Sequence, residues 1–192
     1  PELSVWLVTG DGDGFSIGGN HMIHLLRRNV DINVMLFNNR IYGLTKGQYS
    51  PTSEQGKVTY STPMGSIDYP FKPTKLALGA EGSFVAKTID KELKHLQAMI
   101  KRANSHKGTS FIEIYQNCNI FNDGAFSHLT DRDTKEEQLL RLEDGEPMIF
   151  GAEKDKGIYL DGISPKVVKI GKDYSIDDIV VHNEQDKFIG DM

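Results

Sequence analysis

Apolar positions fall into two periods along the chain. Residues 3–9 (LSVWLVT) and 32–37 (INVMLF) are short, nearly continuous apolar runs, the pattern of strands buried on both faces. Between them Ile17, Met22, Leu25 and Leu26 return at helical intervals. Arg27 and Arg28 close that segment, where basic side chains suit the negative end of a helix dipole. Strand, helix and strand in so short a span make a βαβ unit, whose strands are parallel. Thr9 and Phe37 then lie at one edge of the sheet. The glycine-dense turn at 10–14 and the loop at 38–48 open on the same crevice, where open α/β sheets bind ligands.

Residues 42–73 are polar and punctuated by Gly, Pro, Ser and Thr, with no sustained period; loops of that length are usually functional or disordered. A short helix is expected over 74–79 and a short strand over 83–87. Residues 90–105 predict a helix with Leu93, Leu96, Met99 and Ile100 on one face and Lys91, Lys94 and Lys101 on another. A third strand, SFIEIY at 110–115, runs into Gln116-Asn117-Cys118. Beyond Asn122 the pattern weakens: 131–143 reads as a charged, solvated helix, and 158–181 as short strand pieces. The fold class expected is α/β with a parallel sheet.

Composition narrows the function. With 38% hydrophobic and 26% charged residues, the chain has the balance of a soluble globular domain. Its 22 basic and 27 acidic residues leave a net charge of -5, which argues against a large basic nucleic-acid surface. No apolar run approaches the ~20 residues of a membrane span, and no leader pattern opens the chain. One cysteine, Cys118, excludes an internal disulfide framework and fits a reducing compartment. The expectation is a cytoplasmic protein without a nucleic-acid or membrane partner. The chain starts at Pro1 and enters a strand-like run almost at once, which suggests a lost start.

Residues 9–20 read TGDGDGFSIGGN. A dinucleotide fingerprint fails from Gly10, where Phe15 takes the last glycine position, and from Gly12, where Ile17 does. A calcium-hand loop from Asp11 fails too, with Phe15 fifth and Ser16 in place of the sixth-position glycine. A magnesium–diphosphate site fits better. Mg²⁺ takes octahedral oxygen ligands; Asp11 offers a carboxylate oxygen, Asn38-Asn39 an amide oxygen and Ile41 a backbone carbonyl. Phosphate oxygens and water would complete the shell. Gly12 and Gly43 would let backbone N–H groups approach the phosphates. Ordinary turn chemistry at two strand ends is the competing reading. Asn-Asn at the end of the adjacent parallel strand makes it the weaker one.

Gly-Asp-Gly followed roughly thirty residues later by Asn-Asn is the thiamine-diphosphate motif. The run GDGDGFSIGGNHMIHLLRRNVDINVMLFNNRIYGLTKGQYSPTSE at 10–54, with FIEIYQNCNIFNDGAF at 111–126, resembles the β subunit of 2-oxoacid:ferredoxin oxidoreductases, especially the 2-oxoglutarate type. The resemblance covers at least the first two-thirds of the chain. It implies a parallel-sheet thiamine-diphosphate-binding fold. Residues 1–126 would be the C-terminal part of that domain, and 127–192 an extension that packs against a partner.

Carried over by residue, the resemblance assigns Mg²⁺ to Asp11, Asn39 and the Ile41 carbonyl. Cofactor diphosphate contacts fall to Gly12, Asp13, Gly43 and Leu44. Cys118 matches the last of four cysteines that hold a [4Fe–4S] cluster in this family; the other three lie upstream of the thiamine motif. The activity implied is oxidative decarboxylation of a 2-oxoacid to acyl-CoA and CO₂, with electrons passed to ferredoxin. The partners implied are an α subunit carrying the glutamate that activates the cofactor, ferredoxin, coenzyme A and the 2-oxoacid. The chain would then be inactive alone.

Lys46, on the loop after Asn39, is the expected partner for a substrate carboxylate, and Thr45 for a phosphate or substrate oxygen. His21 and His24 lie one turn apart but lack a third ligand, so helix packing is the expected role. Two alternatives stay open: a non-redox thiamine-diphosphate decarboxylase or synthase subunit, and a non-catalytic α/β binding module.

Overall fold

The strand–helix–strand order holds, but the first run is an edge strand. The computed structural model describes residues 3–192. The chain divides into two compact units that meet in sequence between Phe126 and Ser127.

The first unit runs β1 (Trp6–Gly10), α1 (Asp11–Phe15), α2 (Gly19–Arg27), β2 (Asn33–Asn38), α3 (Pro73–Gly79), β3 (Phe84–Ile89), α4 (Leu93–Ser105) and β4 (Ser110–Tyr115). Its sheet has the order β1-β2-β4-β3, and every pairing is parallel. Val34, Leu36 and Phe111 pack with Phe15, Met22, Leu26 and Ala77 of the first three helices. Ile112 and Ile114 face the other way, against Ala103, Leu96, Met99 and Ile100 of α4. Asn29, in the left-handed region at φ 48°, ties the helix end to the sheet. Its Oδ1 accepts from Thr109 N at 2.8 Å and Ser83 Oγ at 2.6 Å.

β2 and β4 are buried as their runs predict. β1 is not: among the described residues it pairs only with β2, and Val8 is 61% exposed. The 10–14 turn is also a helix, α1, with Asp11 as its first residue. α1 ends at Phe15 and the chain redirects through Gly18, whose N–H donates to Asp13 O at 2.8 Å. Phe15 therefore takes the core position that periodicity gave to Ile17, which is 91% exposed.

The second unit starts with α5 (Ser127–Thr130) and α6 (Lys135–Gln138), where a longer charged helix is expected from 131–143. The apolar residues of that stretch, Leu139, Leu140 and Leu142, cluster at its C-terminal end rather than along one face, and short helices need tertiary packing to persist. An antiparallel sheet follows, β5 (Ile149–Phe150), β6 (Lys156–Asp161) and β7 (Ser164–Lys169), with a tight hairpin turn at Gly162, φ 64°. Among the described residues no helix is long and apolar enough to cross a membrane.

Candidate functional site

Parallel pairing of Gly10 with Phe37 sets the ends of β1 and β2 side by side, so Asp11 and Asn39 emerge together. The Asp11 side chain is 1% exposed. Its Oδ2 accepts from Ser50 Oγ at 2.5 Å and Thr52 Oγ1 at 2.6 Å, and its Oδ1 from Asn39 N at 3.3 Å. Burial raises its pKa above the ordinary 3.8, while the Ser50, Thr52 and Asn39 donors pull it back. A nearby cation would favour the ionised form further.

The Asn39 amide places one terminal atom 2.8 Å from the Ile41 carbonyl oxygen and 3.2 Å from Asp11 Oδ1. With the amide nitrogen there, it donates to both. With Asn39 Oδ1 there, it accepts from Ile41 N at 3.3 Å and three oxygens converge, an arrangement that a bound cation would favour. One carboxylate, one amide and one backbone carbonyl are the hard oxygen donors that Mg²⁺ prefers. The residues present fit that ion.

Gly12 packs directly under Tyr42. A Cβ on Gly12 would lie 2.3 Å from the Tyr42 ring, and the Tyr42 hydroxyl donates to Gly12 O at 2.9 Å. Beyond Tyr42 the chain turns tightly: Gly47 N donates to Tyr42 O at 2.8 Å, and Lys46 and Gly47 both have positive φ. Around Gly43 there is open space, with nothing within 4 Å of a Cβ placed there. A pocket of about 390 Å³ is lined by Tyr42, Tyr49, Ser50, Asp68, Tyr69 and Phe71, of which Ser50 also bonds Asp11.

The structure thus brings together Asp11, Asn39, the Ile41 carbonyl and Gly12. Asp13, Leu44, Thr45 and Lys46 are exposed, and among the described residues no side-chain hydrogen bond joins them to that group. His21 and His24 are exposed on α2, and no group of three His, Cys, Asp or Glu is placed to hold a metal among the described residues. Cys118 is half-buried, and its carbonyl accepts from Asn122 N at 3.0 Å. Asn122 Nδ2 in turn donates to Asn39 O at 2.9 Å. A four-thiolate cluster does not fit the residues present, because Cys118 is the sequence's one cysteine.

Several bracing residues escape the sequence reading. Ser50 and Thr52 lie in a stretch that shows only as polar loop. Arg40 holds the loop from its side: its guanidinium pairs with Glu54 at 2.7 Å and lies over the Phe126 ring, 4.6 Å from the centroid. Glu113, a lone carboxylate inside the apolar SFIEIY strand, is the one with a legible signal, because a buried charge needs a partner.

Comparison with known proteins identifies the family of the chain. The family model for the thiamine pyrophosphate enzyme, C-terminal TPP binding domain, matches residues 1–114. The chain is 53% identical over 184 residues to the 2-oxoglutarate oxidoreductase subunit KorB of Mycobacterium tuberculosis, covering 96% of this chain and 49% of that protein. It is 43% identical over 123 residues to the 2-oxoacid:ferredoxin oxidoreductase subunit beta of Saccharolobus solfataricus, 64% of this chain and 40% of that one. The chain therefore spans about half the length of these curated relatives, or less. Among solved structures it is similar to the 2-oxoglutarate:ferredoxin oxidoreductase from Magnetococcus marinus with 2-oxoglutarate, coenzyme A and succinyl-CoA bound. That match has a TM-score of 0.66 and 32% identity, and covers 93% of this chain and 60% of that one. With parallel strands delivering Asp11 and Asn39 to one edge, and a family model spanning more than half its length, the chain belongs to the thiamine pyrophosphate enzymes by their C-terminal TPP-binding domain.

Proposed function

We propose that this chain supplies the magnesium- and diphosphate-binding half of a thiamine-diphosphate site in the β subunit of a 2-oxoacid:ferredoxin oxidoreductase. The observation that carries the reading is the convergence of Asp11 Oδ1, the Asn39 amide and the Ile41 carbonyl at the ends of two parallel strands. The names of the relatives support the reaction: oxidative decarboxylation of a 2-oxoacid to acyl-CoA and CO₂, with ferredoxin as acceptor. They favour 2-oxoglutarate as the substrate. The coenzyme A bound in the Magnetococcus enzyme supports the acyl acceptor.

Asp11, Asn39 and the Ile41 carbonyl would hold the ion. Ser50 and Thr52 keep Asp11 Oδ2 occupied and so leave Oδ1 for the metal. Gly12 and Gly43 keep side chains away from the backbone that would meet the diphosphate, with Asp13 and Leu44 beside them. Thiamine diphosphate, when bound, supplies the electron sink that decarboxylation requires. Lys46, on the exposed turn, would pair with a substrate carboxylate, and Thr45 would donate a hydrogen bond to substrate or phosphate.

An α subunit would complete the site, and the β chain alone would be inactive. Cys118 would give one thiolate to a [4Fe–4S] cluster whose other ligands lie outside this sequence. The test is the thiamine-diphosphate and magnesium content of the assembled full-length protein, purified anaerobically beside Asp11→Ala. Both should be present in the parent and lost in the variant. Their absence from an intact parent would overturn the reading.

A further inference from the structure

Beneath the candidate metal site runs a buried polar chain. Glu113 sits in the middle of β4, on the face that otherwise packs Val34, Leu36 and Phe111, and is 1% exposed. Its Oε1 accepts from Asn38 Nδ2 at 2.7 Å, and its Oε2 lies 3.2 Å from Lys87 Nζ. An ionised carboxylate can only accept, so Glu113 decides which end of the Asn38 amide faces it. Asn38 Oδ1 points the other way, accepts from Arg40 N at 3.2 Å and lies 3.0 Å from Thr52 Oγ1, whose single proton is shared between it and Asp11 Oδ2.

Those two contacts reach all three metal-facing oxygens. Arg40 lies between Asn39 and Ile41, which carry two of them. The Thr52 hydroxyl is also 2.6 Å from Asp11 Oδ2, the far side of the carboxylate that carries the third. Resting on the magnesium reading above, we propose that Glu113 and Asn38 are positioning residues for the cation. Glu113 orients the Asn38 amide, and Asn38 holds Asp11, Asn39 and the Ile41 carbonyl at a spacing that accepts a divalent ion.

Lys87 makes the idea testable. In Glu113→Gln, Lys87 claims the new amide oxygen, and the amide NH₂ is left facing Asn38 Nδ2. Two donors then oppose each other, the Asn38 amide turns over, and its NH₂ meets the Arg40 N–H. Combining Glu113→Gln with Lys87→Met frees the Gln oxygen to accept from Asn38, which restores the original orientation.

The probe is Mn²⁺, titrated into metal-stripped, assembled full-length protein with saturating thiamine diphosphate. The EPR signal of the free ion reports binding, and circular dichroism checks folding. Glu113→Gln should weaken Mn²⁺ about 10- to 100-fold, the usual range for residues that orient metal ligands. The double variant should recover most of that loss. Thr52→Val, which leaves the ion pair alone, should also weaken Mn²⁺. Unchanged affinity in Glu113→Gln or in Thr52→Val overturns the proposal. So does an equal loss in the single and double variants, because only the missing ion pair would then matter. Asp11→Ala separates the two claims. If it loses the ion while Glu113→Gln keeps it, positioning alone falls; if the parent binds no Mn²⁺, the magnesium reading falls and takes positioning with it.

Discussion

Gly12 and Lys87 show how single residues set this site. At Gly12 the backbone and the Tyr42 ring are so close that any side chain must displace the ring and break its hydroxyl contact with Gly12 O. Gly12→Ala should therefore destabilise the protein by about 1–3 kcal/mol, the range for overpacking, in urea unfolding. Lys87 offsets the buried Glu113 charge. Burial alone would lower its pKa, but the Glu113 carboxylate and the Tyr115 hydroxyl hold it above the ordinary 10.5. A cation raised in this way gives stability that is complete below the unfolded value and is lost as pH climbs through the folded one. Lys87→Met should cost about 1–2 kcal/mol at pH 8, less than a fully buried pair because Lys87 is half-exposed. The gap to the parent should narrow above 10.5. An equal gap at both pH values in urea unfolding would contradict that sign.

At the scale of elements, legibility followed how locally each one is determined. β2 and β4 announce themselves because both faces are buried and their runs are continuous. β1 has the same kind of run, yet its edge position depends on partners that periodicity does not report. Four of the five residues of α1 (DGDGF), two aspartates and two glycines, have poor helix propensity, so packing makes it helical. Asp11 and Asn39 were legible because parallel strands force their neighbours to one edge. Ser50 and Thr52 were not: they reach Asp11 across 39 and 41 residues, through a loop whose path no period encodes. The α2 terminus gives a test at this scale. Asn29 joins that terminus to Ser83 and Thr109, and Asn29→Ala would leave the buried Thr109 N–H without its acceptor. A loss of about 1–3 kcal/mol in urea unfolding is expected; a change within error would mean another group satisfies that N–H.

For the whole molecule, the family is shown by the match over residues 1–114, and the proposed reaction would fall to an assembly of which this chain is one part. Exposed apolar side chains of the first unit fit that division. Leu44 and Tyr60, at 95% and 96% exposed, lie outside the core of the first unit. They suit the proposal that another chain completes the site. The central proposal is that Asp11, Asn39 and the Ile41 carbonyl hold one ion. Crystals of the assembled full-length protein grown with Mn²⁺ and thiamine diphosphate would test it through the anomalous scattering of the metal. The account predicts a peak bounded by those three oxygens, with the diphosphate over Gly12 and Gly43. A peak elsewhere, with Asn39 still donating to Asp11 and the Ile41 carbonyl, would contradict it.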